Sequence, residues 1–188
     1  MLTDKPLCGI DEAGRGPLAG PLVMAGVVLP VPIEGLNDSK VLSAKKREAL
    51  YETIVTKAHY HVVRFSPETI DELGIGVCIK RGLEAIKAHF GKEVTYLFDG
   101  NSAFGVSGIR TQIKADAEVA EVSAASIIAK VTRDREMTAL AKRYPEYGFE
   151  KHKGYATKAH YDALYRYGRC PVHRKSFRVK GLDEPTLF

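Results

Sequence analysis

The chain has 188 residues, of which 45% are hydrophobic and 27% charged, with a net charge of +5; this composition suits one compact domain with a sizeable core. No apolar run of about 18 residues occurs, the longest stretch being Pro21 to Pro32 ("PLVMAGVVLPVP"), so a membrane span is excluded; the opening "MLTDKPL" lacks the basic-then-apolar order of a signal peptide, and a cytoplasmic chain is expected. Three widely spaced cysteines, Cys8, Cys78 and Cys170, argue against a disulfide framework or a thiolate zinc site and read as small buried hydrophobes.

In chain order, Leu7 to Ile10 and Leu22 to Leu29 predict strands, the second too continuously apolar to have a solvated face. Ser43 opens a helix, "SAKKREALYETIVTKA", with Leu50, Ile54 and Val55 on one side. His61 to Phe65 predicts a third strand, and Ser66-Pro67 supplies an N-cap and a first-position proline for a short helix to about Leu73. An amphipathic helix follows from Ile75 to Phe90, then a strand from Val94 to Phe98 that stops at Asp99-Gly100-Asn101. A strand near Ile109 to Ile113 leads into "KADAEVAEVSAASIIAKVTRDREMTALAKRYP", whose alanine content and closing Pro145 predict a long helix to about Arg143. Thr157 to Tyr167 predicts the last helix, and the tail after Cys170 is irregular. Alternating strands and helices without repeats or a clear linker indicate a mixed α/β domain with a largely helical C-terminal third.

The stretch "GIDEAGRGPLAG" from Gly9 to Gly20 comes close to a dinucleotide fingerprint, but that fingerprint needs a helix directly after its glycines. Here a valine-rich strand follows, with Pro17 and Pro21 ahead of it, so strand–turn–strand replaces strand–turn–helix. A Walker-type phosphate loop is absent, since no Gly-Lys-Ser/Thr appears.

Carboxylates offer another reading of the same segment. Asp11 and Glu12 lie at the end of one hydrophobic strand and Asp99 at the end of another, while Asp116 precedes the long helix. Carboxylates are poor strand formers and costly to bury uncompensated, and oxygens converging from neighbouring strand ends suit Mg²⁺ or Mn²⁺. Singly, each has a plainer account: a turn for Asp99, a helix cap for Asp116, an ion pair with Arg15 for Glu12. Asp134, four residues after Lys130, reads as its helix-surface partner.

Charge is unevenly placed. Residues 151–180 carry nine Lys/Arg against Asp162 alone, a local net of +8, and residues 144–167 hold six of the nine tyrosines. A basic, aromatic segment suits a polyanion, although for a charge run alone a solvated helix face over packed tyrosines is the favoured account.

Together, "GIDEAGRGPLAGPLV", "LNDSKVLS", "FDGN", "KAD", "VSAASIIAKVTRDREM" and "YGFEKHKGYATKAH" resemble ribonuclease HII in its single-chain bacterial form, over nearly the whole chain. The resemblance implies a ribonuclease H-like mixed sheet flanked by helices, with a catalytic core over residues 1–145 and a basic helical extension over 146–188. It implies an endoribonuclease cutting the phosphodiester 5′ to a ribonucleotide, in RNA/DNA hybrids and at single ribonucleotides in duplex DNA, and leaving 3′-hydroxyl and 5′-phosphate ends. By motif, Asp11, Glu12, Asp99 and Asp116 become the metal-binding carboxylates, holding two Mg²⁺ or Mn²⁺ ions, with Asp11 and Asp99 central and Glu12 and Asp116 completing one site each. Gly14-Arg15-Gly16 then contacts the ribonucleotide and a flanking phosphate, and Tyr155 packs on the adjacent deoxyribose. Ser39, Lys40, Ser126, Lys130, Thr132 and Arg133 are further candidate substrate contacts, while His152 reads as a surface or phosphate-facing residue. A monomer is expected. Leu187-Phe188 resembles the apolar anchor of sliding-clamp-docking peptides, but the usual glutamine is missing and a frayed terminus is the better reading.

Two other classes compete with this reading. A non-catalytic nucleic-acid-binding module explains the basic end but not four carboxylates beside a polyanion, and a nucleotide-dependent oxidoreductase requires the missing helix.

Overall fold

Every residue of β2 (Leu22–Val28) is buried, as its unbroken apolar sequence demands of a strand lying between two helical layers. The structure, a computed structural model, describes residues 5–36 and 42–183; Ser39, Lys40 and Leu187-Phe188 lie outside the described residues. Around β2 stand β1 (Leu7–Ala13), β3 (His59–Phe65), β4 (Thr95–Asp99) and β5 (Ile109–Gln112), in the sheet order β3-β2-β1-β4-β5. The sheet is mixed: β1 and β2, and β2 and β3, pair antiparallel, whereas β1 and β4, and β4 and β5, pair parallel.

Helices cover both faces. On one, Cys8, Ile10 and Met24 pack with Ile70 of α2 (Pro67–Leu73) and with Ile79, Leu83 and Ile86 of α3 (Ile75–Phe90). On the other, Val23, Ala25 and Val27 pack with Ile54 of α1 (Ala44–Lys57) and with Ala124, Ala125 and Ile128 of α4 (Ala120–Arg143). Alternate side chains of β2 thus serve two cores. The expected Ser66 cap is present, its hydroxyl accepting from the Thr69 amide at 3.2 Å with Pro67 in the first turn.

Three boundaries differ from the sequence expectation. β1 runs on through Asp11 and Glu12 to Ala13, because its ladder with β2 continues through Asp11–Ala25, Glu12–Met24 and Ala13–Val23; the ladder outweighs the poor strand preference of the carboxylates. The long helix starts only at Ala120, since Ala115–Ala117 form a separate 3₁₀ turn after a left-handed Lys114 (φ 61°). A four-residue helix, α5 (Phe149–His152), had no periodicity to announce it. A sixth helix, α6 (Lys158–Tyr167), follows as expected, capped by Thr157.

The C-terminal third packs on the second half of α4 and on the turn that joins β1 to β2. Leu18, Ala19, Met137, Phe149, Leu164 and Val179 share one apolar cluster. Backbone bonds stitch the same turn: Leu18 N–H to Gly154 O at 2.9 Å, Gly20 N–H to Val172 O at 2.9 Å, and Arg174 N–H to Leu18 O at 2.8 Å. No helix among the described residues is long and apolar enough to cross a membrane.

Candidate metal centre and nucleic-acid cleft

Parallel pairing of β1 with β4 places the first two carboxylates. The last paired residues are Ile10 and Phe98, and the next residue on each strand is an aspartate, Asp11 and Asp99. Asp116 reaches the same point from the turn after β5. One oxygen from each of Asp11, Asp99 and Asp116 lies within 4.8 Å of the others. Asp99 braces that turn, its carboxylate accepting from the Lys114 amide at 2.9 Å and the Asp116 amide at 3.4 Å. Asp11 accepts from the Glu12 amide at 2.7 Å and a hydrogen bond from Ser126 of α4.

Glu12 stands apart from this triad. Successive side chains of a strand leave opposite faces, so Asp11 turns toward α4 while Glu12 follows Ile10 toward the α3 side. Its Oε1 lies 3.8 Å from Arg15 Nη1, and its buried Oε2 has no hydrogen-bond partner among the described residues. Arg15 itself is exposed and lies over the Phe104 ring, 5.5 Å from its centroid.

The electrostatics of the group favour a cation. Burial holds the Asp11 carboxyl well above the usual range, and the charges of Glu12 and Asp99 raise it further. Burial pushes Glu12 up to about 7 against the opposing pull of Arg15, and burial and the hydrogen-bonded Asp116 raise Asp99. Crowded carboxyl oxygens and an orphaned buried oxygen suit a hard divalent ion of the Mg²⁺ or Mn²⁺ kind, which takes oxygen ligands. The residues present fit such an ion.

A cavity of about 340 Å³ opens above the group, lined by Glu12, Gly14, Arg15, Gly16, Asp116, Ser126, Lys130 and Tyr155, with Arg47 of α1 on its rim. Tyr155 is 42% exposed, and its ring stands near Lys130 Nζ (5.9 Å from the centroid) and the Arg133 guanidinium (5.5 Å). Lys130 also pairs with Asp134 at 2.9 Å, the helix-surface contact expected of that spacing.

Gly14 and Gly16 differ in what requires them. A Cβ on Gly14, whose φ is +94°, lies 2.2 Å from Arg133 Nε and 2.4 Å from Pro21 O, so the fold itself demands glycine there. Around Gly16 a Cβ meets nothing within 4 Å, and its φ is ordinary.

Two expected substrate contacts are placed elsewhere, and so is His152. Arg133 is 1% exposed and donates to Pro21 O, Ala19 O and Lys153 O, each at 2.9 Å, so its guanidinium is spent on backbone and is not offered to phosphate. Thr132 is not on the cleft wall, and its hydroxyl is buried without a hydrogen-bond partner among the described residues. His152 is not surface-facing: its ring stacks on His160 at 4.5 Å and bonds Tyr147 O at 2.6 Å. Arg47 went unnoticed in the sequence because a basic residue near a helix start has the pattern of any solvated face.

The sequence model of the family described as Ribonuclease HII matches residues 8–180. The ribonuclease HII of Sulfurovum sp. is 65% identical over 184 residues, covering 98% of this chain and 97% of that protein, and that of Campylobacter jejuni is 54% identical over 176 residues, covering 94% and 92%. Among solved structures, the Archaeoglobus fulgidus ribonuclease HII, determined in complex with PCNA, superposes with a TM-score of 0.80 at 30% identity, covering 93% of this chain and 96% of that one.

Proposed function

This chain belongs to the ribonuclease HII family of metal-dependent endonucleases acting on RNA, and from that premise we propose that it cuts the phosphodiester 5′ to a ribonucleotide within a duplex. Its substrates are RNA/DNA hybrids and single ribonucleotides in duplex DNA, and its products end in 3′-hydroxyl and 5′-phosphate. The observation that carries this reading is the meeting of Asp11, Asp99 and Asp116 within 4.8 Å, beneath a cleft walled by Gly14-Arg15-Gly16 and Tyr155.

Asp11, Asp99 and Asp116 would hold divalent metal, Mg²⁺ or Mn²⁺, with the adjacent Glu12 carboxylate completing the set. When bound there, two ions would supply charge stabilisation for the entering and leaving oxygens of an in-line displacement and a lowered pKa for the attacking water. The chain's own part is positioning. Ser126 orients Asp11 by a hydrogen bond, and the Lys114 and Asp116 amides orient Asp99. Lys130 and Arg47 bring positive charge to the cleft for the phosphate backbone.

Gly16, which nothing inside the protein requires to be glycine, lets the sugar-phosphate approach the backbone, where the 2′-hydroxyl can be read as both donor and acceptor. Tyr155 packs its exposed ring against the neighbouring deoxyribose, marking the ribonucleotide-to-DNA junction. The chain acts as a monomer. A sliding clamp, the partner in the Archaeoglobus structure, is a second candidate partner, through Leu187-Phe188; removing those two residues would then weaken clamp binding.

The test is cleavage of a labelled duplex with one ribonucleotide, supplied with Mg²⁺, Mn²⁺ or a chelator. A single cut on the 5′ side of the ribonucleotide, lost with chelator, is expected. Cutting of the all-deoxy duplex, or activity in chelator, overturns the reading.

A further inference from the structure

Two arginines are buried without a carboxylate. Arg174 is 0% exposed and Arg133 1%, and neither forms an ion pair among the described residues. A buried guanidinium so placed is costly unless its donors are satisfied. Arg174 Nη2 donates to Gly14 O at 2.6 Å, Nη1 to Arg15 O at 3.1 Å and Nε to Gly20 O at 3.0 Å, while its guanidinium lies 4.9 Å from the Phe177 ring centroid. Arg133 takes the carbonyls of Ala19 and Pro21 from the same turn. The turn between β1 and β2 therefore has its carbonyls drawn inward at both ends.

Peptide planarity makes that arrangement directional. In a trans peptide the C=O of one residue and the N–H of the next point in opposite directions. With Gly14 O and Arg15 O held on the Arg174 side, the Arg15 and Gly16 amides must face the other way, and Gly14, Arg15 and Gly16 line the cleft. Neither amide has an acceptor among the described residues.

We infer that Arg174 is a positioning residue for ribonucleotide recognition: by gripping the carbonyls of Gly14 and Arg15 from beneath, it aims the Arg15 and Gly16 amides at an oxygen of the bound ribonucleotide or its phosphate. This rests on the proposed reading of the ribose by that turn. The three carbonyls are spread around the edge of a planar fork, over Nε, Nη1 and Nη2, and lysine, whose three donors radiate from one nitrogen, does not reproduce that spacing. Burial, with the neighbouring Arg133 charge, lowers Arg174 to about 9, which leaves it a cation at neutral pH. Its charge, lacking a carboxylate partner, adds positive potential under a turn that meets an anionic phosphodiester.

The experiment measures, with chelator present to prevent cleavage, the affinity of wild type, Arg174→Lys and Arg174→Gln for a duplex with one ribonucleotide and for its all-deoxy twin. Circular dichroism and thermal melting check folding. Wild type is expected to prefer the ribonucleotide duplex, and folded Arg174→Lys to lose about tenfold of that preference while keeping its affinity for the all-deoxy duplex, a split that general destabilisation does not produce. In wild type, amide hydrogen exchange at Arg15 and Gly16 should slow with the ribonucleotide duplex and less with its twin, which decides the matter if neither variant folds. A folded Arg174→Lys with undiminished preference overturns the role of Arg174 and leaves ribose reading intact, whereas equal exchange with both duplexes takes ribose reading away from this turn and overturns the inference. Absence of any preference in wild type defeats the ribose reading and this inference with it.

Discussion

Asp11 and Glu12 are adjacent in β1 and leave it on opposite faces, Asp11 joining Asp99 and Asp116 within 4.8 Å and Glu12 turning toward Arg15, 3.8 Å away. Two carboxylates that look alike in sequence therefore have different surroundings, one in the centre of the acidic group and one at its edge.

This difference predicts unequal losses. Asp11→Asn removes a central oxygen donor and should lower Mg²⁺-dependent cleavage of a lone-ribonucleotide duplex by ~100-fold or more, a loss at least as large as those seen when outer partners of a metal site are changed. Duplex affinity should stay near wild type, as should stability, and the rise in melting temperature on adding Mg²⁺ should vanish. Glu12→Gln should keep part of the rate. Steady-state cleavage and melting with and without metal check both, and a fully active Asp11→Asn would show that the triad is not the metal centre.

A second prediction separates glycines required by the fold from one required by the ligand. A Cβ on Gly9 lies 2.2 Å from the backbone carbon of Glu121, where β1 and α4 touch, and backbone cannot step aside as a side-chain tip can. Gly9→Ala should therefore cost ~2 kcal/mol or more by forcing α4 off the sheet. Gly16→Ala meets nothing within 4 Å and should leave stability within ~0.5 kcal/mol, yet reduce cleavage at a lone ribonucleotide about tenfold or more by blocking approach of the sugar. Denaturant titration beside kinetics reads both, and a Gly16→Ala enzyme of normal activity would remove the close-approach argument.

The physical reasons for what the sequence disclosed follow from these residues. β2 was legible because a strand buried on both faces has no polar alternation, and the rejection of a dinucleotide loop followed from the strand that succeeds Gly14-Arg15-Gly16. Asp99 stood out because a carboxylate at a strand end needs compensation, and Asp116 through its place between a strand and the long helix. Arg133 was misread and Arg174 overlooked for one reason: an arginine's pattern in sequence does not distinguish a guanidinium facing phosphate from one spent on backbone carbonyls 20 to 160 residues away. The Glu12 offset depended on β1 running three residues beyond its apolar stretch, which only the β2 partner determines.

Backbone contacts without base readout predict a strong salt dependence. If about six phosphates are neutralised, affinity should fall by ~10³ between ~50 and ~200 mM salt. Arg47, on the cleft rim, should account for one such contact, so Arg47→Ala should reduce the log–log salt slope by about one without altering the preference for a ribonucleotide. Fluorescence anisotropy across a salt series measures the slope, and an unchanged slope would place Arg47 off the nucleic-acid path.

Behind Tyr155 a chain of hydrogen bonds fixes the protonation of two buried histidines. The Cys170 amide donates to His173 Nδ1 at 2.9 Å, His173 Nε2 lies 3.0 Å from His160 Nε2, and His160 Nδ1 lies 2.9 Å from Tyr155 O. Because the carbonyl can only accept and the amide can only donate, His160 carries its proton on Nδ1 and His173 on Nε2, each ring neutral and satisfied. A second proton on either ring would set one N–H against another, and His152, stacked on His160, adds no compensating negative charge. Burial, with the neighbouring histidine in the case of His173, accordingly pushes both rings down to about 4 from 6.5. The unfolded chain takes up protons at these rings near pH 6.5, while the folded chain excludes them until about 4, so the rings' contribution to stability is full above 6.5 and is lost as pH drops through that window, by up to ~1.4 kcal/mol per pH unit for each ring. The raised carboxyls of Asp11, Glu12 and Asp99 act in the opposite sense as pH falls, so the pair is read by difference: urea midpoints at pH 7, 6 and 5 should fall progressively for wild type relative to His173→Asn. Because the folded chain keeps His160 neutral until about 4, its hold on the Tyr155 carbonyl should persist from pH 7 to 5, and a wild-type midpoint that shows no loss relative to His173→Asn over that range would contradict the neutral pair.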